Sequence, residues 1–298
     1  MVKRNATREV FSFPEDISYA RQIARFLRVP IRRILTHEFP DGETLASIRE
    51  RRIRSDAILV RRLDHPNLKI LDTLFVADAL RRSGAREVTL AVPYFPYLRQ
   101  DKVFHHGQAL SAKVFGELIG HSFDRVITID PHLHRLRSLR AAIPCRTCHL
   151  SAAEPIARWV CINCPNATVI GPDVESTDLV RDVAKAAGTD WIAGRKRRLA
   201  DKRVIVEFDG LRTPRSAVIV DDIGSTGVTL VAVAQTLRSR GCSSIDAVVV
   251  HPLFARGAIG RVRRAGVRRI VSCDTVTHPT NAIKTASLMA EALMRTGS

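Results

Sequence analysis

Short aliphatic runs alternate with longer amphipathic stretches along most of the chain. Residues 10–13 form a first apolar run, and Ile17, Ala20, Ile23, Ala24 and Leu27 follow at helical spacing, with Asp16 near the start. Residues 57–60, 88–92, 125–129, 168–170, 217–220, 247–250 and 267–272 read as further strands. The spacing predicts a helix with Leu71, Leu74, Phe75 and Ala79 on one side, and others over 112–119, from about 177, and through Leu230, Val231, Val233, Ala234 and Leu237. Residues 151–160 read as a helix capped by Ser151, with Glu154 at capping-box spacing and Ala152, Ile156, Ala157 and Val160 as its buried side. Residues 203–206 read as a strand of a small flap. Pro279, Thr280 and Asn281 are read as the cap of a final helix carrying Ile283, Ala286, Leu288, Met289, Ala292 and Leu293.

Strand–helix alternation implies largely parallel sheets. The pattern also repeats. Residues 81–93 and 238–252 both run helix end, glycine, strand, proline. The expectation is an α/β protein of two similar domains, each a mostly parallel sheet flanked by helices, with the chain crossing near residues 143–150. The boundary is placed at 1–147 and 148–298, with the last helix free to return to the first domain.

The length of 298 residues and a hydrophobic content of 45% support two ordinary cores, built from aliphatics because aromatics are only 5%. No apolar run reaches ~18 residues, so no membrane span or membrane partner is expected. The basic start lacks an apolar segment after it, which argues against a secretory signal and for the cytoplasm. The net charge is +17. Nucleic-acid binding is one explanation and a site for polyanionic small substrates another. The basic residues are spread along the chain, so nucleic acid is not the expected partner. The dense stretch Arg261, Arg263, Arg264, Arg268 and Arg269 reads as a solvated helix face and turn.

Two Cys-x-x-Cys pairs, Cys145/Cys148 and Cys161/Cys164, have the form of zinc ligands. The helix read between them holds the pairs roughly 15 Å apart at 1.5 Å per residue, too far for one tetrahedral ion. Buried or free thiols are the expectation.

Candidate chemistry clusters where strands end. After the run 217–220 come Asp221 and Asp222, then Gly224, Ser225, Thr226, Gly227 and Thr229, then a helix. Backbone N–H groups and a helix dipole there suit an anion, and two carboxylates suit a vicinal diol. The residues admit either an ordinary turn or a ribose 5-phosphate site. Residues 93–102 hold two prolines and end in Arg99, Gln100, Asp101 and Lys102. In open α/β sheets ligands bind at this edge, though an Arg–Asp pair also braces loops. Asp130 and His132, with His134, follow residues 125–129, and Asp173 follows residues 168–170. Asp41-Gly42 is a hairpin turn signal. The basic run 195–198 reads alone as solvated surface.

In order and spacing these stretches resemble the ribose-phosphate diphosphokinase (phosphoribosyl diphosphate, PRPP, synthetase) family, in its compact archaeal-like branch. The resemblance spans residue 10 to about 294 and implies two type I phosphoribosyltransferase-like domains. It assigns ATP binding to the first, through Phe39, Asp41, Glu43, Arg99, Gln100 and Asp101. It assigns ribose 5-phosphate binding to the second, through Asp221, Asp222, Gly224, Ser225, Thr226, Gly227 and Thr229. Lys196 and Arg198 match the family's catalytic Lys-x-Arg. His132 and Asp173 match its magnesium-binding positions, so Mg2+ is the implied cofactor. The base-binding loop of the family lies at a subunit interface, which implies at least a homodimer. The implied reaction gives PRPP and AMP. The chain departs from the family's pattern at Pro96, Gln108, Glu175, Ser176 and Val228. Those departures keep a non-catalytic paralogue in view. A phosphoribosyltransferase would have no need of Arg99–Asp101 or the loop 39–43, and a PRPP-sensing regulator is the remotest alternative.

Overall fold

The alternation predicted from the sequence is present in the computed structural model, which describes residues 8–49, 52–53, 56–133, 138–198, 204–208 and 213–295. The chain divides into two compact units, Met1–Leu150 with Ala286–Ser298, and Ser151–Thr285.

The first unit begins with β1 (Arg8–Ser12), a single 3₁₀ turn at Pro14–Asp16 and α1 (Ile17–Leu27). It continues through β2 (Ile31–Arg33), the ribbon β3 (Leu35–Glu38) and β4 (Thr44–Ser47), β5 (Asp56–Val60), α2 (Pro66–Arg82), β6 (Val88–Ala91), α3 (Ser111–Ser122), β7 (Arg125–Ile129) and β8 (Arg146–Leu150). Six strands form one parallel sheet in the order β2-β1-β5-β6-β7-β8. Val10, Phe11, Leu59, Leu90 and Ile127 are fully buried in it, as expected of parallel strands covered on both faces.

The second unit holds α4 (Ala153–Asn163), β9 (Thr168–Gly171), α5 (Thr177–Ala187), β10 (Trp191–Ala193), the ribbon β11 (Arg195–Arg198) and β12 (Val204–Glu207), and β13 (Ser216–Gly224). Then follow α6 (Val228–Ser239), β14 (Ser244–Pro252), α7 (Ala258–Arg264), β15 (Arg269–Cys273) and β16 (Asn281–Ile283). α8 (Ala286–Arg295) belongs to the first unit and lies against α1. The second sheet is also parallel, in the order β10-β9-β13-β14-β15-β16. The two sheets therefore have one topology, and each carries an antiparallel ribbon after its second strand.

The repeat read at residues 81–93 and 238–252 extends to the hydrogen bonds. Gly84 (φ +96°) and Gly241 (φ +92°) take the left-handed conformation that ends α2 and α6. Gly84 N–H bonds Arg81 O and Ala85 N–H bonds Leu80 O; Gly241 N–H bonds Arg238 O and Cys242 N–H bonds Leu237 O. Both are Schellman closures, each followed by a buried strand.

Four elements differ from the sequence reading. α2 buries Thr73, Val76, Ala77 and Leu80, while Leu71 and Phe75 are exposed. Apolar residues surround this helix almost completely, so spacing alone does not select its inner face. α4 starts at Ala153, two residues late. Ser151 Oγ accepts from Ala153 N–H, and Glu154 pairs with Arg158 instead of closing a capping box. Ile283 lies in β16, paired with Cys273, and not in the final helix; Pro279–Asn281 is a turn closed by His278 N–H on Asn281 Oδ1. β13 runs on through Asp221 and Asp222 to Gly224, because β14 is equally long and pairs with it to Pro252.

Part of the basic stretch near the end of α7 is structural. Asp246 in β14 is buried and accepts from Arg268 at 2.8 Å, from Arg269 at 2.7 Å and from the Cys164 thiol at 3.2 Å. Burial raises the Asp246 pKa, but the Arg269 and Arg268 hydrogen bonds outweigh it and hold the carboxyl well below its ordinary range. A depressed folded pKa stabilises above the unfolded value and is lost as pH falls through the folded one. Asp246→Asn is therefore expected to cost about 3 kcal/mol at pH 7 by chemical denaturation. Its deficit against wild type should shrink progressively below about pH 4.

Candidate active site

A parallel strand delivers the residues after it to the carboxyl edge of its sheet. In the first unit that edge gathers Glu15 and Asp16 after β1, Arg61 and Arg62 after β5, residues 93–102 after β6 and Asp130–His132 after β7. Of the residues expected to bind ATP, Arg99, Gln100 and Asp101 lie here, with Arg99 and Gln100 exposed. Their loop is anchored from within. Phe95 and Leu98 are buried, Tyr97 takes φ +67° and packs on Phe115, and its hydroxyl donates to Asn67 at the start of α2. The neighbouring loop is tied to the same edge, because Ile129 N–H donates to Pro93 O and Val92 N–H to Ile127 O. Asp130, at φ +35°, then turns the chain toward His132. His134 lies outside the described residues.

Phe39, Asp41 and Glu43 occupy the tip of the β3–β4 ribbon and are exposed. Phe39 N–H donates to Glu43 O at 2.8 Å, Gly42 N–H to Phe39 O at 2.9 Å and Glu43 N–H to Asp41 Oδ1 at 3.1 Å. His37 stacks edge-on to Phe39. The turn thus presents an aromatic face beside two carboxylates, a combination that suits a base carrying an amino-group donor. Beyond Lys102, the Gln108 side-chain oxygen accepts from the amides of Phe104 and His105 and closes that loop on itself.

In the second unit the same edge carries Asp173 after β9, the β11–β12 ribbon after β10, residues 221–229 at the end of β13, and Phe254 after β14. Gly227 takes φ +78° as the N-cap of α6, and Val231 N–H bonds its carbonyl. Two loop carbonyls are occupied: Ser225 O accepts from Ala255 N–H and Thr226 O from the Arg261 guanidinium. The first amides of α6 have no acceptor within the helix and meet the positive end of its dipole. A Cβ on Gly224 would come within 2.4 Å of the Phe254 ring, so only glycine lets the loop lie on that ring. Asp221, Asp222, Ser225 and Thr229 are half-buried around it, with Thr226 exposed. Phe254 and Arg261 were not legible as parts of this cradle; Arg261 read as one cation among many.

Asp173 caps the 3₁₀ turn Val174–Ser176. Its carboxylate accepts from Glu175 and Ser176 N–H at 3.1 and 3.2 Å, while the Ser176 hydroxyl donates to Asp173 O. Lys196 and Arg198 alternate along β11, opposite Val206 and Val204 of β12. Their side chains lie outside what the structure describes.

Each cysteine of the two pairs turns to its own acceptor: Cys145 to Arg146 O, Cys148 to His149 O, Cys161 to Ala187 O and Cys164 to Asp246. Burial pushes the Cys145 thiol up to about 11 and, with Asp246 beside it, Cys164 up to about 12. Among the described residues no three His, Cys, Asp or Glu side chains are grouped to hold a metal ion.

Comparison with known proteins agrees with the two-domain architecture. Residues 9–122 match the N-terminal domain of ribose phosphate pyrophosphokinase, and residues 164–288 match a phosphoribosyl transferase domain. The ribose-phosphate pyrophosphokinase of Methanothermobacter thermautotrophicus is 31% identical, covering 92% of this chain and 95% of its own. That of Methanopyrus kandleri is 29% identical over 95% of this chain and 98% of its own. The fold is similar to the crystal structure of phosphoribosylpyrophosphate synthetase from Mycobacterium smegmatis, with a TM-score of 0.84 at 22% identity over 97% and 98% of the two chains. With both domains matched in order and relatives aligned almost end to end, the chain belongs to the ribose-phosphate pyrophosphokinase family.

Proposed function

We propose that this chain transfers the diphosphoryl group of ATP to the anomeric hydroxyl of ribose 5-phosphate, giving PRPP and AMP. The observation that carries the reading is the pairing of two different edges in one chain. One offers an aromatic ribbon tip and exposed Arg99 and Gln100, suited to a nucleotide. The other offers a glycine-hydroxyl loop at a helix N-terminus beside two carboxylates, suited to a phosphorylated pentose. A phosphoribosyltransferase alone would account for the match at residues 164–288 but not for that at 9–122.

The residues take the following parts. Phe39 meets the face of the base, and Asp41 and Glu43 accept from its exocyclic amino group. Arg99 meets phosphate oxygens, with Gln100 and Asp101 orienting it and the ribose. The amides and hydroxyls of 224–229 bind the 5-phosphate, and Asp221 and Asp222 accept from the 2- and 3-hydroxyls. Lys196 and Arg198 supply positive charge as it gathers on the transferring and leaving oxygens. Magnesium, which favours oxygen donors and keeps several waters, fits a donor set of scattered carboxylate and imidazole groups better as an ion carried by the substrate phosphates than as a caged one. His132 in the first unit and Asp173 in the second are each assigned as a magnesium ligand at its own sheet edge, and bound magnesium would supply charge neutralisation at the phosphates.

The working form is a homo-oligomer. Leu68, Leu71 and Phe75 of α2 and Val114 and Leu118 of α3 are exposed, Leu68 by 81%, and α2 and α3 lie against each other. Apolar side chains of this size on adjoining helices suit a contact with a second copy. Six free thiols suit a reducing compartment, the cytoplasm. No helix among the described residues is long and apolar enough to cross a membrane.

Incubation with ATP, magnesium and ribose 5-phosphate should yield AMP and PRPP, and Lys196→Ala should lower kcat about a hundredfold or more. Wild type and variant equally silent, though folded and binding nucleotide, would establish the non-catalytic alternative. Gly227→Ala should raise the KM for ribose 5-phosphate and lower stability by about 1–2 kcal/mol, because its φ of +78° is left-handed and its Cβ would meet Val262 at 2.9 Å. The KM for ATP should stay unchanged.

A further inference from the structure

Two neighbouring peptide groups of the loop joining β13 to α6 are held by their carbonyls. Ser225 O accepts from Ala255 N–H at 3.1 Å, and Thr226 O accepts from Arg261 Nη2 at 3.0 Å. Both donors belong to the segment that follows β14 and forms α7. The peptide groups are trans, and in a trans peptide the C=O and the N–H of one plane point in opposite directions. Fixing those two carbonyls toward the α7 segment therefore turns Thr226 N–H and Gly227 N–H away from it. Neither amide has an acceptor among the described residues. They add to the open donors at the start of α6.

The two braces are unequal. Ala255 gives a backbone amide, which almost any residue there would supply. The brace on Thr226 O depends on one side chain. Arg261 is exposed, but its helix is firmly seated: Val262 is fully buried, and a Cβ on Gly227 would meet it at 2.9 Å. Gly257, at φ +76°, precedes α7, and a Cβ there would lie 3.3 Å from Arg261 Nη1. The guanidinium thus lies close over the start of its own helix and reaches Thr226 with its other amino group. The bond it makes is charge-assisted, the stronger kind.

We propose that Arg261 is a positioning residue for the 5-phosphate. By donating to Thr226 O it holds the 226–227 peptide with Gly227 N–H facing the anion. With that carbonyl released, the peptide is free to turn its oxygen, a partial negative charge, toward the phosphate. Glycine accepts both signs of φ, so Gly227 does not itself prevent such a flip. The inference rests on the reading of residues 221–229 as the ribose 5-phosphate site. Arg261 acts through the backbone and need not touch the sugar phosphate.

Arg261→Met removes the donor and keeps much of the side chain's length. It is expected to weaken ribose 5-phosphate about tenfold, the worth of about one hydrogen bond, both as KM in turnover and as Kd by titration calorimetry. The kcat and the KM for ATP should stay within about twofold. Arg261→Lys, which keeps a donor, should recover most of the loss. The ratio of variant to wild-type Kd should be the same at about 50 mM and about 500 mM salt, because a direct charge on the phosphate would be screened and an oriented amide would not. Arg263→Met removes an exposed cation of the same helix and should change neither constant. Wild-type affinity for ribose 5-phosphate in Arg261→Met, a deficit shared by ATP, or one that fades in high salt overturns the inference. Wild type that binds no ribose 5-phosphate overturns the proposed function and this inference together. Normal wild-type binding and turnover with an unaffected Arg261→Met overturns the inference alone.

Discussion

Parallel pairing is the constraint from which the rest follows. Within each six-stranded sheet every strand runs the same way, so every residue that follows a strand is delivered to one edge of that sheet. Covering helices bury both faces and leave that edge as the place where backbone amides, helix N-termini and short polar loops meet solvent. Asp130–His132, Arg99–Asp101, Asp173 and residues 221–229 are distant in sequence, yet each comes to the carboxyl edge of its own sheet.

The duplicated topology makes the differences between the units informative. Both insert an antiparallel ribbon after the second strand, β3–β4 in one and β11–β12 in the other. The first carries an aromatic ring and acids at its tip, the second a run of cations along a strand. The position after β5 and the end of β13 are also equivalent. There the first unit places Arg61 and Arg62, both buried, with Asp16 as their buried partner. The second places Asp221 and Asp222, half-buried beside a loop of small residues. A buried cation pair with its own counter-ion is committed to holding structure. Two half-exposed acids remain able to meet a diol. One scaffold thus yields a braced edge in one unit and a receptive one in the other.

Much of this was legible in the residues. Strands such as 125–129 and 168–170 are continuous aliphatic runs between polar segments, and the glycine closures at 84 and 241 stand in equivalent surroundings. The acids, glycines and hydroxyls of 221–229 stand directly after an aliphatic run, which places them at a strand end from the sequence alone. What was not legible depends on partners far away in sequence. The inner face of α2 is set by the strands it covers, and its own apolar residues point nearly everywhere. Ile283 became a strand because β15 offered it an edge. Phe254 under Gly224, Arg261 on Thr226 O, and Arg268 and Arg269 on Asp246 are all meetings whose spacing carries no period.

The same distinction bears on the five positions where the chain departs from its family's pattern. Val228 is exposed at the start of α6. Gln108 accepts two backbone hydrogen bonds with its side-chain oxygen, a task that needs an acceptor and no charge. Pro96 restricts the residue before it to extended backbone, while Tyr97, anchored on Asn67 and Phe115, makes the turn. Ser176 is buried, its hydroxyl returned to Asp173 O, and Gly171 leaves room for it: a Cβ there would lie 2.6 Å from Ser176 Oγ. At these four positions the new side chain is turned into local structure or out to solvent. Glu175 differs, because it adds an exposed carboxylate beside Asp173. Any change in phosphate or metal preference that sets this chain apart from its relatives is therefore most directly sought at Glu175.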